Sequence, residues 1–197
     1  MKKEPYLMPH QTEPFNGDKN VCDEFLKLKE KFNSNLAVEL GCCLGGSTKW
    51  LSENFEKVIA IEINEQFLGF AKERTKAKNN IDFHLGDTLD VLPKITKKMS
   101  NRTIVFVDSH WMDNVPLLKE LEIIAKAGLR PVIVIHDFKV PNRPDLGFDS
   151  YKGQDYTFEW IHPSIYAIYG EDGYSFHYND KAEGAKRGVI YIYPKEA

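Results

Sequence analysis

Three features of the sequence predict an α/β fold, a parallel sheet with helices on both faces. Uninterrupted apolar runs rich in β-branched residues, such as Val58-Ile59-Ala60-Ile61 and Val132-Ile133-Val134-Ile135, suit strands buried on both sides. Segments with helical spacing of apolar residues separate these runs, as parallel strands require. At 197 residues, 42% of them hydrophobic and 28% charged, the chain can bury roughly 70% of its unfolded surface in one core. A single domain over residues 1–197 is expected, with residues 1–20 as an N-terminal extension.

Val21, Phe25, Leu28 and Phe32 recur at helical spacing among lysines and glutamates, which predicts a covering helix over 21–32. A strand at 36–40, a helix at 46–54, a strand at 57–62 and a helix at 64–78 follow. The next strand, at 81–85, leads into a helix over 88–98 in which Leu89, Leu92 and Ile95 share a face. Strands at 103–107 and 131–135 bracket a helix carrying Leu117, Leu118, Leu121, Ile124 and Ala125, with Gly128 as its cap. The alternation then stops. Residues 139–156, rich in proline and glycine in their first part, are too long for an ordinary connection and are expected to form an active-site loop. A helix over 157–168 comes next, and two alternating runs at 174–178 and 188–193 predict an antiparallel pair.

Chemistry concentrates where strands end. In Glu39-Leu40-Gly41-Cys42-Cys43-Leu44-Gly45-Gly46-Ser47, an apolar strand runs into a glycine turn and a helix. Glycines there admit a close backbone approach, and Glu62, at the tip of the next strand, is placed to accept both hydroxyl protons of a ribose. The Gly41-to-Glu62 interval matches the roughly 20-residue separation of a dinucleotide fingerprint. The glycines at 41, 45 and 46 do not spell G-x-G-x-x-G, however, and this disfavours an NAD-dependent oxidoreductase.

The whole pattern resembles the class I S-adenosylmethionine-dependent methyltransferases, whose first motif reads acid-x-Gly-x-x-x-Gly-x-Ser. Leu85-Gly86-Asp87-Thr88, Phe106-Val107-Asp108 and His136-Asp137 fall in the family's order, and the resemblance spans 36–194. It implies a Rossmann-like sheet of seven strands, mostly parallel, in the order 3-2-1-4-5-7-6. It also implies a cofactor held by Glu39, Gly41, Gly45, Gly46, Ser47, Glu62, Asp87, Thr88 and Asp108, with Glu62 on the ribose and Asp87 and Thr88 near the adenine. The segment Phe106-Val107-Asp108-Ser109-His110-Trp111 is similar to the Phe-x-Asp-His-Trp segment of catechol-type, metal-dependent O-methyltransferases. Carried over, that likeness assigns Asp108, His136 and Asp137 to Mg²⁺ or another divalent cation, with one imidazole in place of an oxygen ligand. The catalytic lysine of those enzymes has no counterpart at Trp111 or Met112. Asp108, His110 and His136 are therefore the catalytic candidates, and His110 or Asp113 is a candidate base.

The expected activity is methyl transfer from S-adenosylmethionine to a hydroxyl of a sugar or phenolic small molecule. Without the lysine, a non-catalytic cofactor-binding or structural subunit is the alternative. A formal net charge of -3 argues against a general grip on nucleic acid or an anionic membrane. No apolar leader or membrane-length run is present, so the cytoplasm is the expected compartment, and a homo-oligomer is compatible with all of this. Three cysteines make no disulfide framework; Cys42 and Cys43 read as small loop residues. His84, His162 and His177 lack ligand spacing. Tyr151 and Tyr156, flanking the glycine-bearing loop, are expected near the acceptor.

Overall fold

The computed structural model describes residues 10–110 and 114–195. Helices α1 (Lys19–Lys31), α2 (Gly46–Asn54), α3 (Glu65–Arg74), α4 (Thr88–Ile95), α5 (Leu117–Lys126) and α6 (Phe158–Tyr169) surround a sheet of seven strands. The strands are β1 (Leu36–Leu40), β2 (Lys57–Glu62), β3 (Ile81–Leu85), β4 (Thr103–Val107), β5 (Val132–His136), β6 (Tyr174–Tyr178) and β7 (Val189–Pro194). Their order is β3-β2-β1-β4-β5-β7-β6, with only β7 running against the others. Fold class and strand order agree with the sequence-based expectation.

Every residue of β1, β4 and β5 is buried, as the uninterrupted apolar runs require. One face of the sheet meets α1, whose Val21, Phe25 and Leu28 pack with Phe15, Leu51 and Phe106. The opposite face meets α4, α5 and α6 through Leu92, Leu121, Ile124, Ile161 and Ile165. Asp18, Asn64, Asp87 and Thr157 cap α1, α3, α4 and α6 by accepting from free backbone amides of the first turn.

Two expectations need correction. The third helix ends at Arg74 and does not reach residue 78: the Thr75 hydroxyl turns back onto the Ala71 carbonyl, and residues 75–77 form a turn. The segment 139–156 is not all loop, since Ser150–Tyr151 and Gln154–Asp155 pair as a short antiparallel ladder.

Register decides what meets at the carboxyl edge. Leu40 lies beside Ile61 and Val107, and Val107 lies beside Ile135. The next residue on each strand therefore falls in one row, Glu62, Gly41, Asp108 and His136. Because β7 is reversed, the residues that precede it, Arg187 and Gly188, arrive at this same edge.

Candidate active site

A cleft of about 580 Å³ opens above that row, within the range of small-molecule and cofactor sites. Its walls include Glu39, Gly41, Ser47, Glu62, Asp87 and Asp108, and on the far side His110, Asp137, Asp149 and Arg187. Glu39, Gly41, Gly46, Ser47, Glu62, Asp87, Thr88, Asp108, His110 and Asp137 all line this one cleft. Gly45 and His136 do not line the cleft. Asp113 lies outside the described residues, as do Trp111 and Met112.

The glycine turn is shaped by its neighbours. Gly41 has φ +88°, and a Cβ there would sit 2.8 Å from the Asp108 carbonyl carbon. The close approach it permits is to the end of β4, which fixes how near β1 and β4 come beneath the cleft. Gly45, φ +78°, is pressed against Ala71 of α3. A Cβ on Gly46 would lie 2.7 Å from the Glu13 carbonyl oxygen, so the N-terminal segment packs directly on the start of α2. Ser47 contributes there too: its Oγ accepts from the Phe15 amide at 2.9 Å. An accepting hydroxyl still has its proton to donate.

Glu62 is fixed by two loop amides. Its Oε2 accepts from the Cys43 amide and its Oε1 from the Asn64 amide, each at 2.8 Å. These bonds set the carboxylate's plane while each oxygen keeps a lone pair for a further donor. Burial pushes its pKa up, and the amides of Asn64 and Cys43 work against that rise. Behind it, Glu39 is fully enclosed and accepts from Thr48 Oγ1 at 2.5 Å; burial pushes its carboxyl up to about 8. Asp87 caps α4 through the Leu89 amide. Thr88 donates to Glu120, and Ser109 Oγ donates to the same Glu120 oxygen. Burial raises the Cys42 and Cys43 thiols, Cys43 to about 11, which disfavours the nucleophilic thiolate in both.

The other end of the cleft is a network of charge. His110 Nε2 lies 2.9 Å from Asp137 Oδ2 and 3.0 Å from Asp149 Oδ2. Burial opposes a charged imidazole, yet these carboxylates and Asp108 outweigh it and push His110 up to about 10. Arg187 donates through Nε to Asp137 and through Nη2 to Asp149. Tyr151 donates to Asp149 at 2.7 Å, and Tyr156 meets the His110 ring edge-on at 5.2 Å. Asp137 stands at φ +57°, a conformation rare outside glycine, in the turn that leaves β5. His136 is enclosed behind the wall, with Nδ1 3.2 Å from Asp137 Oδ1 and 3.7 Å from Asp108 Oδ1. That nitrogen makes no well-aligned hydrogen bond among the described residues. Burial raises Asp108, which His136 and His110 counter, to about 6.

Glu120, Asp149 and Arg187 escape sequence reading. Glu120 lies within an amphipathic helix and Asp149 within an irregular segment, where nothing marks one acid over another. Arg187 carried a usable signal, since an antiparallel last strand must bring its leading residues to the carboxyl edge.

Residues 38–128 match a family model described as a methyltransferase domain. Over those residues the chain is similar to the class I S-adenosylmethionine-dependent methyltransferases. Solved structures agree at the level of fold. An O-methyltransferase from Bacillus cereus in complex with S-adenosylhomocysteine is 20% identical, with TM-score 0.65 over 89% of this chain and 81% of that one. TomG from Streptomyces achromogenes, an O-methyltransferase of tomaymycin synthesis in complex with S-adenosylmethionine, is 16% identical, with TM-score 0.66 over 90% and 80%. The N-methyltransferase NodS from Bradyrhizobium japonicum is 13% identical, with TM-score 0.57 over 94% and 89%. No curated protein matches the sequence. No helix among the described residues is long and apolar enough to cross a membrane.

The site fits an adenosyl cofactor: Glu62 lines the cleft with both oxygens aligned by loop amides, beside Gly41 and Ser47 of the glycine turn. A divalent cation fits less well. Asp108, His110 and Asp137 bring one donor atom each within 4.8 Å of the others, with His110 in the place expected for His136. Those atoms are already engaged, Asp137 by Arg187 and His110 by two carboxylates. A hard cation asks for about six oxygen-rich ligands, which this set does not offer.

Proposed function

We propose that this protein is an S-adenosylmethionine-dependent methyltransferase that acts on a hydroxyl of a small molecule, and that the acceptor sits between Asp108, His110 and Tyr151. The single observation carrying this reading is that Glu62 and the Asp108–His110 cluster face one continuous cleft. The cofactor supplies an electrophilic methyl group already activated by its sulfonium. Glu62 would hold the ribose. Gly41, Gly46 and Ser47 would border the methionine moiety, with Gly45 setting the turn from behind. Asp87 and Thr88 would flank the adenine, and Glu120 would hold Thr88 and Ser109 in place.

Of the catalytic candidates, Asp108 is best suited to take the acceptor proton. Burial pushes its carboxyl up to about 6 and it lines the cleft, and a base works best with a pKa close to the working pH. A phenolic hydroxyl, with an ordinary pKa of about 10, is closer to that base than a sugar hydroxyl is. His110, held as imidazolium by its carboxylates, would donate a hydrogen bond and orient the acceptor. His136 would act through Asp108 and Asp137 without touching the acceptor.

The experiment is calorimetry with S-adenosylmethionine, S-adenosylhomocysteine and NAD, followed by methyl transfer to a panel of phenols, sugars and amines with and without Mg²⁺. Binding of both adenosyl compounds and methylation of phenols is expected. Failure to bind either compound would remove the cofactor assignment, and methylation confined to amines would remove the hydroxyl.

A further inference from the structure

We propose that the Arg187 guanidinium fills the place of a bound metal in this acceptor site, so that the native protein holds no divalent cation there. The proposal deepens the methyl-transfer reading and rests on it only for the presence of an acceptor; cation binding is testable without one.

Asp137 and Asp149 come from the turn after β5 and from the segment beyond it, and both face the same pocket wall. Two carboxylates in a partly enclosed site repel unless a cation lies between them. A planar guanidinium offers several donors in a fixed fork, and it can serve two acids at once where an ammonium offers a point charge. Arg187 does this: Nε meets Asp137 Oδ1 while Nη2 meets Asp149 Oδ1. The second oxygen of each acid meets His110 Nε2. The two acids are therefore closed into a ring by one guanidinium and one imidazole, with Tyr151 adding a further donor to Asp149.

This position of Arg187 follows from topology and is not a side-chain accident. It precedes the reversed strand β7, and its backbone is fixed on both sides. Gly188 accepts from the Phe138 amide and donates to the Gly147 carbonyl, and Gly147 in turn donates to the Lys186 carbonyl. Gly147 packs against the arginine stem itself, and a Cβ there would fall 2.7 Å from Nη1. The chain around residue 147 is thus shaped to admit this arginine. A metal using Asp137 would have to displace Nε of the guanidinium from its carboxylate and leave a partly buried charge with Asp149 as its one acid, which is costly.

The test is a Mn²⁺ titration read by electron paramagnetic resonance, in the presence of S-adenosylhomocysteine, on the native protein, Arg187→Ala and Arg187→Lys. The native protein should leave the free Mn²⁺ signal undiminished. Arg187→Ala, which frees one oxygen each of Asp137 and Asp149, should bind one equivalent, and Asp137→Asn in that background should abolish it. Arg187→Lys should bind at least tenfold more weakly than Arg187→Ala, because an ammonium still opposes the ion. Native protein that binds one Mn²⁺ and loses it on Asp108→Ala would overturn the proposal. So would a folded Arg187→Ala variant that gains no site. Should Arg187→Ala fail to fold, the native titration decides alone, and it does so whether or not a methyl acceptor has been found.

Discussion

Replacing Glu62 separates two jobs that one carboxylate performs. The structure gives it two backbone amides to hold, those of Cys43 and Asn64, and the functional reading gives it a ribose. A charge-assisted hydrogen bond contributes roughly 1.5–3 kcal/mol. Burial of the carboxylate offsets part of that gain, because its pKa is raised. Glu62→Ala should therefore cost about 2 kcal/mol, and at about 2–4 °C per kcal/mol for a chain of this size the melting temperature should fall by about 4–8 °C. Glu62→Gln retains one carbonyl acceptor but turns an NH₂ toward the other amide, so it should recover about half of this. Affinity for S-adenosylhomocysteine should behave differently. Loss of the charge toward the ribose costs at least about 1.4 kcal/mol, a tenfold weakening, in both variants. Thermal unfolding without ligand and calorimetry with it measure the two quantities separately. If Gln restores affinity in the same proportion as stability, the carboxylate acts only through the loop. If Ala changes neither quantity, the hydrogen bonds seen at Glu62 carry no weight.

Three further outcomes are expected. Gly41→Val places a side chain against the Asp108 carbonyl at positive φ, a strain of about 1–2 kcal/mol before any overlap; it should abolish S-adenosylhomocysteine binding in calorimetry while the far-ultraviolet circular dichroism spectrum keeps its α/β form. Glu39 has a folded pKa of about 8 against an ordinary 4.5, so the folded state holds a proton that the unfolded chain has lost between those values. Its contribution is fully present below the ordinary value and is lost as pH rises through about 8, with a slope of at most about 1.4 kcal/mol per pH unit; Glu39→Gln should flatten the fall in denaturant-measured stability over that window, and an unchanged slope would show that Glu39 is not the group. Asp108→Ala should lower methyl transfer by about 10²–10⁴-fold, the range for a lost general base, while changing S-adenosylhomocysteine affinity by no more than a few-fold; a large loss of affinity with turnover intact would reverse the assignment.

The fold was legible because burial on both faces leaves a signature that survives in composition alone. Val132-Ile133-Val134-Ile135 has no polar residue to place, so only a covered strand suits it. Glu62, Gly41 and Asp108 were legible for a related reason. Each is the first residue beyond an apolar run or the last of one, and parallel register brings such residues into one row. Helix ends were less readable, as α3 shows: the pattern through Lys78 remained compatible with helix, and a single Thr75 hydroxyl bonded to Ala71 marks the exit. The role of Gly41 was half readable. Its need for glycine is clear from the sequence, but the crowding group is the backbone of β4 and not the ligand, which a one-dimensional pattern cannot distinguish.

The choice between His110 and His136 shows why the acceptor side was harder. His136 is the last residue of β5 and is locked in the sheet's register beside Val189, so the sheet dictates where it stands, and it stands behind the cleft wall. His110 lies three residues past β4, where no register applies, and its ring is placed by contacts with Asp137, Asp149, Tyr151 and Tyr156. Those four come from segments 27 to 46 residues away. Strand-end spacing could therefore nominate both histidines but not rank them. Ranking them requires knowing that Arg187 arrives from the opposite direction to neutralise the same acids. The cofactor half of the site is written in local sequence, and the acceptor half is written in long-range contacts between loops. Loop exchange among proteins of this fold should consequently alter acceptor choice while leaving Glu62 and the glycine turn to hold the same cofactor.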